Sequence, residues 1–387
     1  MQIGILRINL ASQINDGTCM NLSLHIISDI EKIAAQHETW NNFVNKNFDN
    51  PFILYKFVEL YAKSNDSHCT PLFIIGETDK KTIGIAPLKV HRNFRVNVAT
   101  FVMPPETSPD FFTYEKFKAP FIDRIVDYVF GRLKCGIVDL TFPAESNSFR
   151  IFKNSCQGRG IQLHVEPYHG RRILKVDSDW ELFERSRGGK FRRKIRKIQK
   201  KLDRAGLHRV ICLERKNRES NVFKKILKID RLSWKEHWRS KRRMNFDPDL
   251  PIHWFGAAES ARTVPNFKNT VWFLELNNRL IAYAIVHIYK QIATIAKTSY
   301  DQRYRSYYPG IYLINSIIEA LFKQGKIRMI DFMTDMEFMR TWTNTVLGRV
   351  RILAAKGKFS KLMLSFYCNK EIRKTLRNVE CQFLRMI

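Results

Sequence analysis

The chain has 387 residues, 44% hydrophobic and 12% aromatic, a mix that excludes a chain disordered throughout. With 17 glycines and 13 prolines it is neither collagen-like nor dominated by linkers. Its 66 Lys and Arg against 37 Asp and Glu leave a net charge of +29. That excess favours acidic partners (phosphates, nucleic acid, an acidic carrier protein or anionic lipid) and says nothing of fold.

The length suits about two domains of roughly 150 residues each. There is no apolar run of about 18 residues, so no transmembrane segment is expected. Met1 to Arg7 lacks a basic stretch followed by a long apolar one, so no signal peptide is expected, and Met20 is a candidate start. Seven cysteines are scattered without CxxC spacing. That pattern argues against structural zinc and against a disulfide framework, and makes a reducing cytoplasm the simplest home.

Regular patterning begins at Leu22, where Leu22, Leu24 and Ile26 alternate as in a strand. Ser28-Asp29 caps a predicted helix with Ile30, Ile33, Trp40 and Phe43, which Asn50-Pro51 breaks. A second helix carries Phe52, Leu54, Tyr55, Val58, Leu60 and Tyr61. Leu72 to Ile75 and Ile83 to Ala86 flank Asp79-Lys80-Lys81 as a β-hairpin. Phe121 to Leu133 reads as a helix, and Gly136 to Leu140 as a short buried strand. The order then returns. A helix from Val222 ends near Trp238, a hairpin joins Val271–Leu276 to Leu280–Ile288, and Ile292 to Thr298 is a third strand. Ile311 to Phe322 is helical after Pro309-Gly310, and Arg328 to Phe332 is the next strand. Ile83-Gly84-Ile85-Ala86 resembles Ile281-Ala282-Tyr283-Ala284, and Gly136-Ile137-Val138-Asp139-Leu140 resembles Arg328-Met329-Ile330-Asp331-Phe332. The matched order implies a duplicated mixed α/β domain.

Between the repeats, Arg185 to Arg204 is the most basic segment. Phe191, Ile195, Ile198 and Leu202 fall at helical spacing and predict one packed side, with Ala205-Gly206 as the end. Arg192, Arg193, Arg196, Lys197 and Lys200 are the candidate residues for an anionic partner. Asp203 is the one acid from Ser186 to Arg204, and unrelieved like charge costs stability unless something acidic lies near.

From about Trp180 to Trp342 the chain resembles GNAT-superfamily acyltransferases of the CelD-like, cellulose-biosynthesis type, relatives of the FemAB peptidyltransferases. Four stretches carry the resemblance. They are Trp180 to Gly206, Asp230-Arg231-Leu232-Ser233-Trp234, Ser299-Tyr300-Asp301 with Tyr308-Pro309-Gly310-Ile311-Tyr312-Leu313, and Asp331-Phe332 onward through Glu337, Arg340 and Trp342. Asn50-Pro51-Phe52 and Gly84-Ile85-Ala86-Pro87-Leu88 extend it to the first repeat. The resemblance implies a mixed α+β fold of tandem GNAT-like domains, each a mostly antiparallel twisted sheet flanked by helices. The expected division is an N-terminal extension (1–19), a first, non-catalytic domain (20–178), a basic connecting helix (179–206) and a second, acyltransferase domain (207–387). Departures stand at Asp335, Met339 and Arg340, where the family often has Gly, Tyr and Lys. The general phosphate loop Arg/Gln-x-x-Gly-x-Gly/Ala is also missing, since Tyr307 and Tyr312 flank Gly310. The donor therefore stays open among acetyl-CoA or another acyl-CoA, an acyl-carrier protein and aminoacyl-tRNA.

Such a site needs a phosphate cradle, an oxyanion partner and a base. Pro309, Gly310 and Ile311 open a helix whose first amides suit phosphates, with Arg303 and Arg305 adding charge. A backbone amide near Lys297 to Ser299 is the expected oxyanion partner. Asp331, Glu337 and Tyr300 are the catalytic candidates, with Asp335 and Asp301 nearby, and no metal is expected. Asp331 reads equally as a structural carboxylate, because Asp139 repeats it. His287, on a predicted strand, is a further candidate. The expected activity is acyl transfer from a thioester to an amine, in the cytoplasm or peripherally at a membrane. Aminoacyl transfer from tRNA and non-catalytic nucleic-acid binding are the alternatives.

Overall fold

The structure, a computed structural model, describes residues 6–13, 19–64, 69–93, 96–215, 220–236, 247 and 249–368. The expected helix end near Trp238 lies outside them. In chain order the elements begin with β1 (Leu6–Gln13), β2 (Cys19–Ile27), α1 (Ile30–Ala34), α2 (His37–Asn47), α3 (Tyr55–Ser64) and β3 (Cys69–Thr78). Next come β4 (Lys81–Asn93), β5 (Val96–Phe101), β6 (Phe112–Thr113), α4 (Lys118–Asp127), β7 (Ile137–Pro143), α5 (Asn147–Gly158) and β8 (Gln162–Lys175). There follow α6 (Trp180–Ser186), α7 (Gly188–Ala205), β9 (His208–Arg215), α8 (Ser220–Arg231), α9 (Asp249–Pro251) and α10 (Ala257–Thr263). The last are β10 (Phe267–Leu276), β11 (Arg279–Tyr289), β12 (Ile292–Tyr300), α11 (Pro309–Gln324), β13 (Met329–Asp331), β14 (Val346–Ala355) and α12 (Lys358–Cys368).

These elements form two compact units, each discontinuous in sequence. The first holds residues 1–39, 65–168 and 348–387; the second holds 40–64 and 169–347. The class is mixed α+β with mostly antiparallel pairing, as expected. In the first unit the strands run β1-β2-β3-β4-β5-β7-β14, with β6 on β4 and the β5–β7 pair parallel. In the second they run β8-β13-β12-β11-β10-β9, with the β12–β13 pair parallel. Each unit thus takes in a strand from the other repeat: β8 pairs with β13, and β14 pairs with β7. Linear patterning showed the repeats and gave no sign of this exchange.

Local chemistry explains the hairpins. Asp79-Lys80 and Asn277-Asn278 both take positive φ at two successive positions, the geometry that matches the right-handed twist of paired strands. In the first unit, α4 and α5 cover one apolar face, with Phe121, Ile122, Phe142 and Phe152 buried. In the second, β10 and β11 alternate between two cores. Trp272, Leu274 and Ala282 face α6, α7 and α11, whereas Val271, Phe273 and Tyr283 face α8 and Trp254. Burial on both faces accounts for their continuous apolar runs. On α7, Phe191, Ile195, Ile198 and Leu202 are buried, as the spacing predicts. Gly206 ends that helix at φ 134°, where a Cβ would lie 2.0 Å from Asn277 Oδ1. The hairpin-turn Asn277 in turn donates its side-chain amide to the Ala205 carbonyl at 2.9 Å.

Candidate functional site

The site begins with a departure from regular pairing. β12 pairs with β11 along its length, but with β13 only through Ile292, Ala293 and Thr294. From Ile295 to Tyr300 no strand lies on its other side among the described residues. The cause is local. Ile285 faces Lys297 while Val286 faces Ile295, so Ala296 is an extra residue that bulges the strand and turns it away. β13 stops at Asp331, whose Oδ1 accepts the Met333 amide at 2.8 Å as the chain turns. The result is a gap beside a strand edge whose polar backbone groups have no strand partner on that side.

Beyond Tyr300, Asp301 caps a 3₁₀ turn, Gln302–Tyr307, by accepting the Arg303 amide at 3.0 Å. Tyr308 follows in the left-handed region at φ 54°, Pro309 sets the first helical position and Gly310 comes next. The Tyr308 carbonyl accepts the amides of Ile311 at 3.1 Å and Tyr312 at 3.2 Å. Pro309 has no N–H, so Gly310 holds the first-turn amide with no partner among the described residues. A Cβ on Gly310 would stand 3.3 Å from Tyr300 Cδ1, so the ring at the end of β12 lies against the helix start.

The structure thus brings Tyr300, Pro309, Gly310 and Ile311 together. Arg303 is directed to the Asp301 carboxylate, with Nη2 2.5 Å from Oδ2, which holds that carboxyl below its usual range against the opposing effect of burial. Arg305 is exposed on the same turn. A cation that the spacing did not single out joins them. Lys201 of α7 donates to the Ser306 carbonyl at 3.2 Å and sits 5.2 Å from the Tyr308 ring centre.

Asp331 is buried and ion-paired to Arg171 of β8. The first unit repeats this device: Arg351 of β14 holds Asp139 through contacts of 2.8 and 2.6 Å. In both units the arginine stands two residues before the residue paired with the aspartate, Ile173 or Leu353. Glu337 is exposed and pairs with Arg340 at 3.0 Å. Arg193, Arg196, Lys197 and Lys200 are exposed on α7 and Arg192 is half-buried, with no acid paired to any of them among the described residues.

On the α8 face of β12 lies a cluster that sequence reasoning missed. Lys297 Nζ lies 3.0 Å from Asp247 and 3.3 Å from Asp249. Burial alone would raise the Asp247 carboxyl, but Lys297 and Lys235 outweigh it and hold the carboxyl below its usual range. Burial would lower Lys297, and its two carboxylates hold it above the ordinary value instead. Lys235 donates to the Thr298 carbonyl at 3.2 Å, fixing the edge beside the gap. A lysine as the one charged residue of β12 was the available signal.

His287 does not reach the gap. It is fully buried against Phe52, Phe57 and Phe267, and its Nε2 lies 3.3 Å from His253 Nδ1. Burial brings His287 down to about 3. Burial, with the positive fields of Lys297 and His287, carries His253 well below its ordinary value. In the unfolded chain both titrate near ~6.5. As pH falls below that value the unfolded state takes up protons that the folded state refuses, so stability declines from about pH 6.5 toward about 3. The slope approaches about 1.4 kcal/mol per pH unit for each histidine. Urea midpoints measured at pH 7, 6 and 5 should fall in wild type and fall about half as steeply in His287→Phe, where His253 alone still refuses its proton. An equal decline in that variant would assign the effect elsewhere.

Among the described residues no group of His, Cys, Asp and Glu could hold a metal ion, and no helix is long and apolar enough to cross a membrane. Residues 189–340 match the family model described as an acetyltransferase (GNAT) domain, so this stretch is GNAT-type. No curated protein matches the sequence. Among solved structures, the chain is similar to FemX (11% identity, 81% of this chain and 95% of that one, TM-score 0.53). It is also similar to the C-terminal domain of a putative lysylphosphatidylglycerol synthetase from Agrobacterium fabrum (12%, 86% and 95%, 0.52). A conserved protein of unknown function from Bacteroides thetaiotaomicron VPI-5482 is a third (10%, 83% and 97%, 0.50). At these identities the likeness is one of fold.

Proposed function

We propose that the second unit transfers an acyl group from a thioester donor, an acyl-CoA such as acetyl-CoA or an acyl-carrier protein, to an amine. The observation that carries the reading is the bulged, half-paired β12 running into the Tyr308–Gly310 helix start, inside the stretch that matches the acetyltransferase model. An extended phosphopantetheine arm fits beside a strand edge with unused backbone groups, and a pyrophosphate fits a helix start where glycine leaves its amide accessible. The donor supplies an activated acyl carbonyl. The chain supplies the Gly310 amide and the Arg305 and Lys201 cations for phosphate, and backbone amides of Lys297 to Ser299 for the carbonyl oxygen. As the C–N bond forms and the C–S bond breaks, Glu337 takes the amine's proton, directly or through water, and the Tyr300 hydroxyl gives its proton to the departing thiolate. Asp331, bonded to Arg171 and the Met333 amide, holds the end of β13 in place. The first unit is non-catalytic in this reading, because β5 ends at Phe101 and leads into no comparable helix start.

The test is incubation of the full chain with acetyl-, octanoyl- and palmitoyl-CoA and a panel of amino sugars, amino acids and polyamines. Amine-dependent thiol release, with a product heavier by the acyl group, is expected. No release with any donor, together with consumption of aminoacyl-tRNA, would establish the second reading, aminoacyl transfer of the FemAB type. The similarity to FemX and the exposed cations of α7, which pair with no acid among the described residues, favour that alternative. A CelD-like role in polysaccharide or cell-envelope synthesis, at a cytoplasmic site or peripherally at the membrane, completes the proposal.

The cations of α7 serve an acidic partner rather than the reacting amine. Their field extends over about a Debye length of 8–10 Å. Replacing Arg193, Lys197 and Lys200 with Gln should weaken binding to anionic vesicles or an acyl-carrier protein, most at low salt, and leave turnover of a free acyl-CoA within about twofold. A matching loss of small-substrate turnover would place this face in the active site.

A further inference from the structure

A cleft of about 820 Å³ opens on the α8 face of the second unit, away from the α7 and α11 side. Its floor is apolar. Ile211 and Leu213 of β9, Phe273 of β10 and Leu280 of β11 line it, with Ile229 and Leu232 of α8 opposite. This surface is incompletely covered: Ile211, Leu213 and Leu280 are only half-buried, and Leu232 is 39% exposed.

The rim is cationic, with five basic side chains against the two carboxylates of Glu275 and Asp301. Arg209 is matched to Glu275 at 2.7 Å, and Arg303 to Asp301. Lys225, Lys228 and Arg279 then remain with no carboxylate partner among the described residues. Lys225 and Lys228 lie three residues apart on one side of α8, and Arg279 comes from the start of β11 beside the hairpin turn. Asp301, Arg303 and Tyr304 close one end, so the cleft shares a loop with the helix start at Gly310 without sharing its strand edge.

Open apolar walls beneath three unmatched cations select a ligand of mixed character. A purely polar anion would leave the walls wet, and an uncharged hydrocarbon would leave the cations without a counter-charge. We infer that this cleft binds an amphipathic organic anion, its chain or ring on β9–β11 and α8, its phosphate or carboxylate at Lys225, Lys228 and Arg279. The volume suits one such molecule, within the range of about 300–1,000 Å³ typical of small-ligand sites. The inference does not depend on the transfer reaction, so it can fail while that reading stands, and the reverse.

Calorimetry on the full chain tests it with dodecyl phosphate, octyl phosphate, laurate, dodecyltrimethylammonium and inorganic phosphate, the surfactants held below micelle formation. Dodecyl phosphate or laurate should bind, and which one binds tighter identifies the head group. Octyl phosphate should bind more weakly, inorganic phosphate at least about tenfold more weakly, and the cationic surfactant not at all. Lys225→Gln/Lys228→Gln/Arg279→Gln should lose at least about tenfold in affinity. Arg193→Gln/Lys197→Gln/Lys200→Gln, which removes the same charge from α7, should not. Equal losses in the two triple variants, equal binding of inorganic phosphate, or no binding of either long-chain anion would overturn the inference. If the cleft variant does not fold, Arg279→Gln alone and the dodecyl-to-octyl comparison decide it by the same criteria.

Discussion

Gly310→Val should lower thioester affinity and turnover by at least about tenfold while the chain stays folded. The position is a helical one with ordinary φ, and valine is a better helix former than glycine, so the backbone carries no penalty. The obstacle is spatial. A single added carbon already stands 3.3 Å from the Tyr300 ring, and valine's two further methyls must lie over the Gly310 amide or push the ring into the gap beside β12. Gly310→Ala is the internal control: the ring needs to yield only a few tenths of an ångström, and most activity should survive. Circular dichroism checks the fold and calorimetry with acetyl-CoA the affinity. Unchanged affinity in a folded Val variant would remove Gly310 from the donor site.

Arg171→Ala should destabilise the second unit by about 2–4 kcal/mol, because it leaves a buried carboxylate without its counter-charge. The Asp331 side chain is 7% exposed and that of Arg171 22%, so solvent recovers only part of the loss. Arg351→Ala in the first unit breaks the equivalent pair, but there Asp139 is 24% exposed and Arg351 23%. That substitution should cost about 1 kcal/mol. The joint change Arg171→Met/Asp331→Asn should recover much of the larger loss by removing both charges. Urea unfolding of the three variants checks the ranking. Asp331→Asn, which can still accept the Met333 amide, should keep turnover within about fivefold of wild type. A loss of a thousandfold or more would make Asp331 the base and not the anchor of β13.

The two repeats were legible because burial writes itself into a sequence at fixed periods. Alternation marked β2, the apolar runs flanking Asp79-Lys80-Lys81 and Asn277-Asn278 marked two hairpins, and the four apolar residues of α7 marked its packed side. The repeat is deeper than the compared stretches suggested. Val98-Ala99-Thr100 faces Ile137-Val138-Asp139 in one unit, as Ile292-Ala293-Thr294 faces Met329-Ile330-Asp331 in the other. The meeting of Tyr300 with Gly310 was half visible, since both lie near one connection, and the resemblance to acyltransferases pointed to the same stretch.

Other features have no linear signature. A bulge at Ala296 depends on which residues of β11 lie opposite, and no periodicity within β12 reveals that. The exchange of β8 and β14 is a choice among sheet edges that look alike in sequence. The partners of Asp331 and Lys297 are 160 and about 50 residues distant, so only folding brings the charges together. The sequence by itself determined several strands and helices between Leu22 and Phe332, the duplication and the cationic face of α7, because these follow from the spacing of neighbours along the chain. The tertiary structure decided the gap beside β12, the first-turn amide of Gly310 that has no partner among the described residues, and the anchoring of Asp331. These depend on register and on distant charge pairs, which local spacing does not encode.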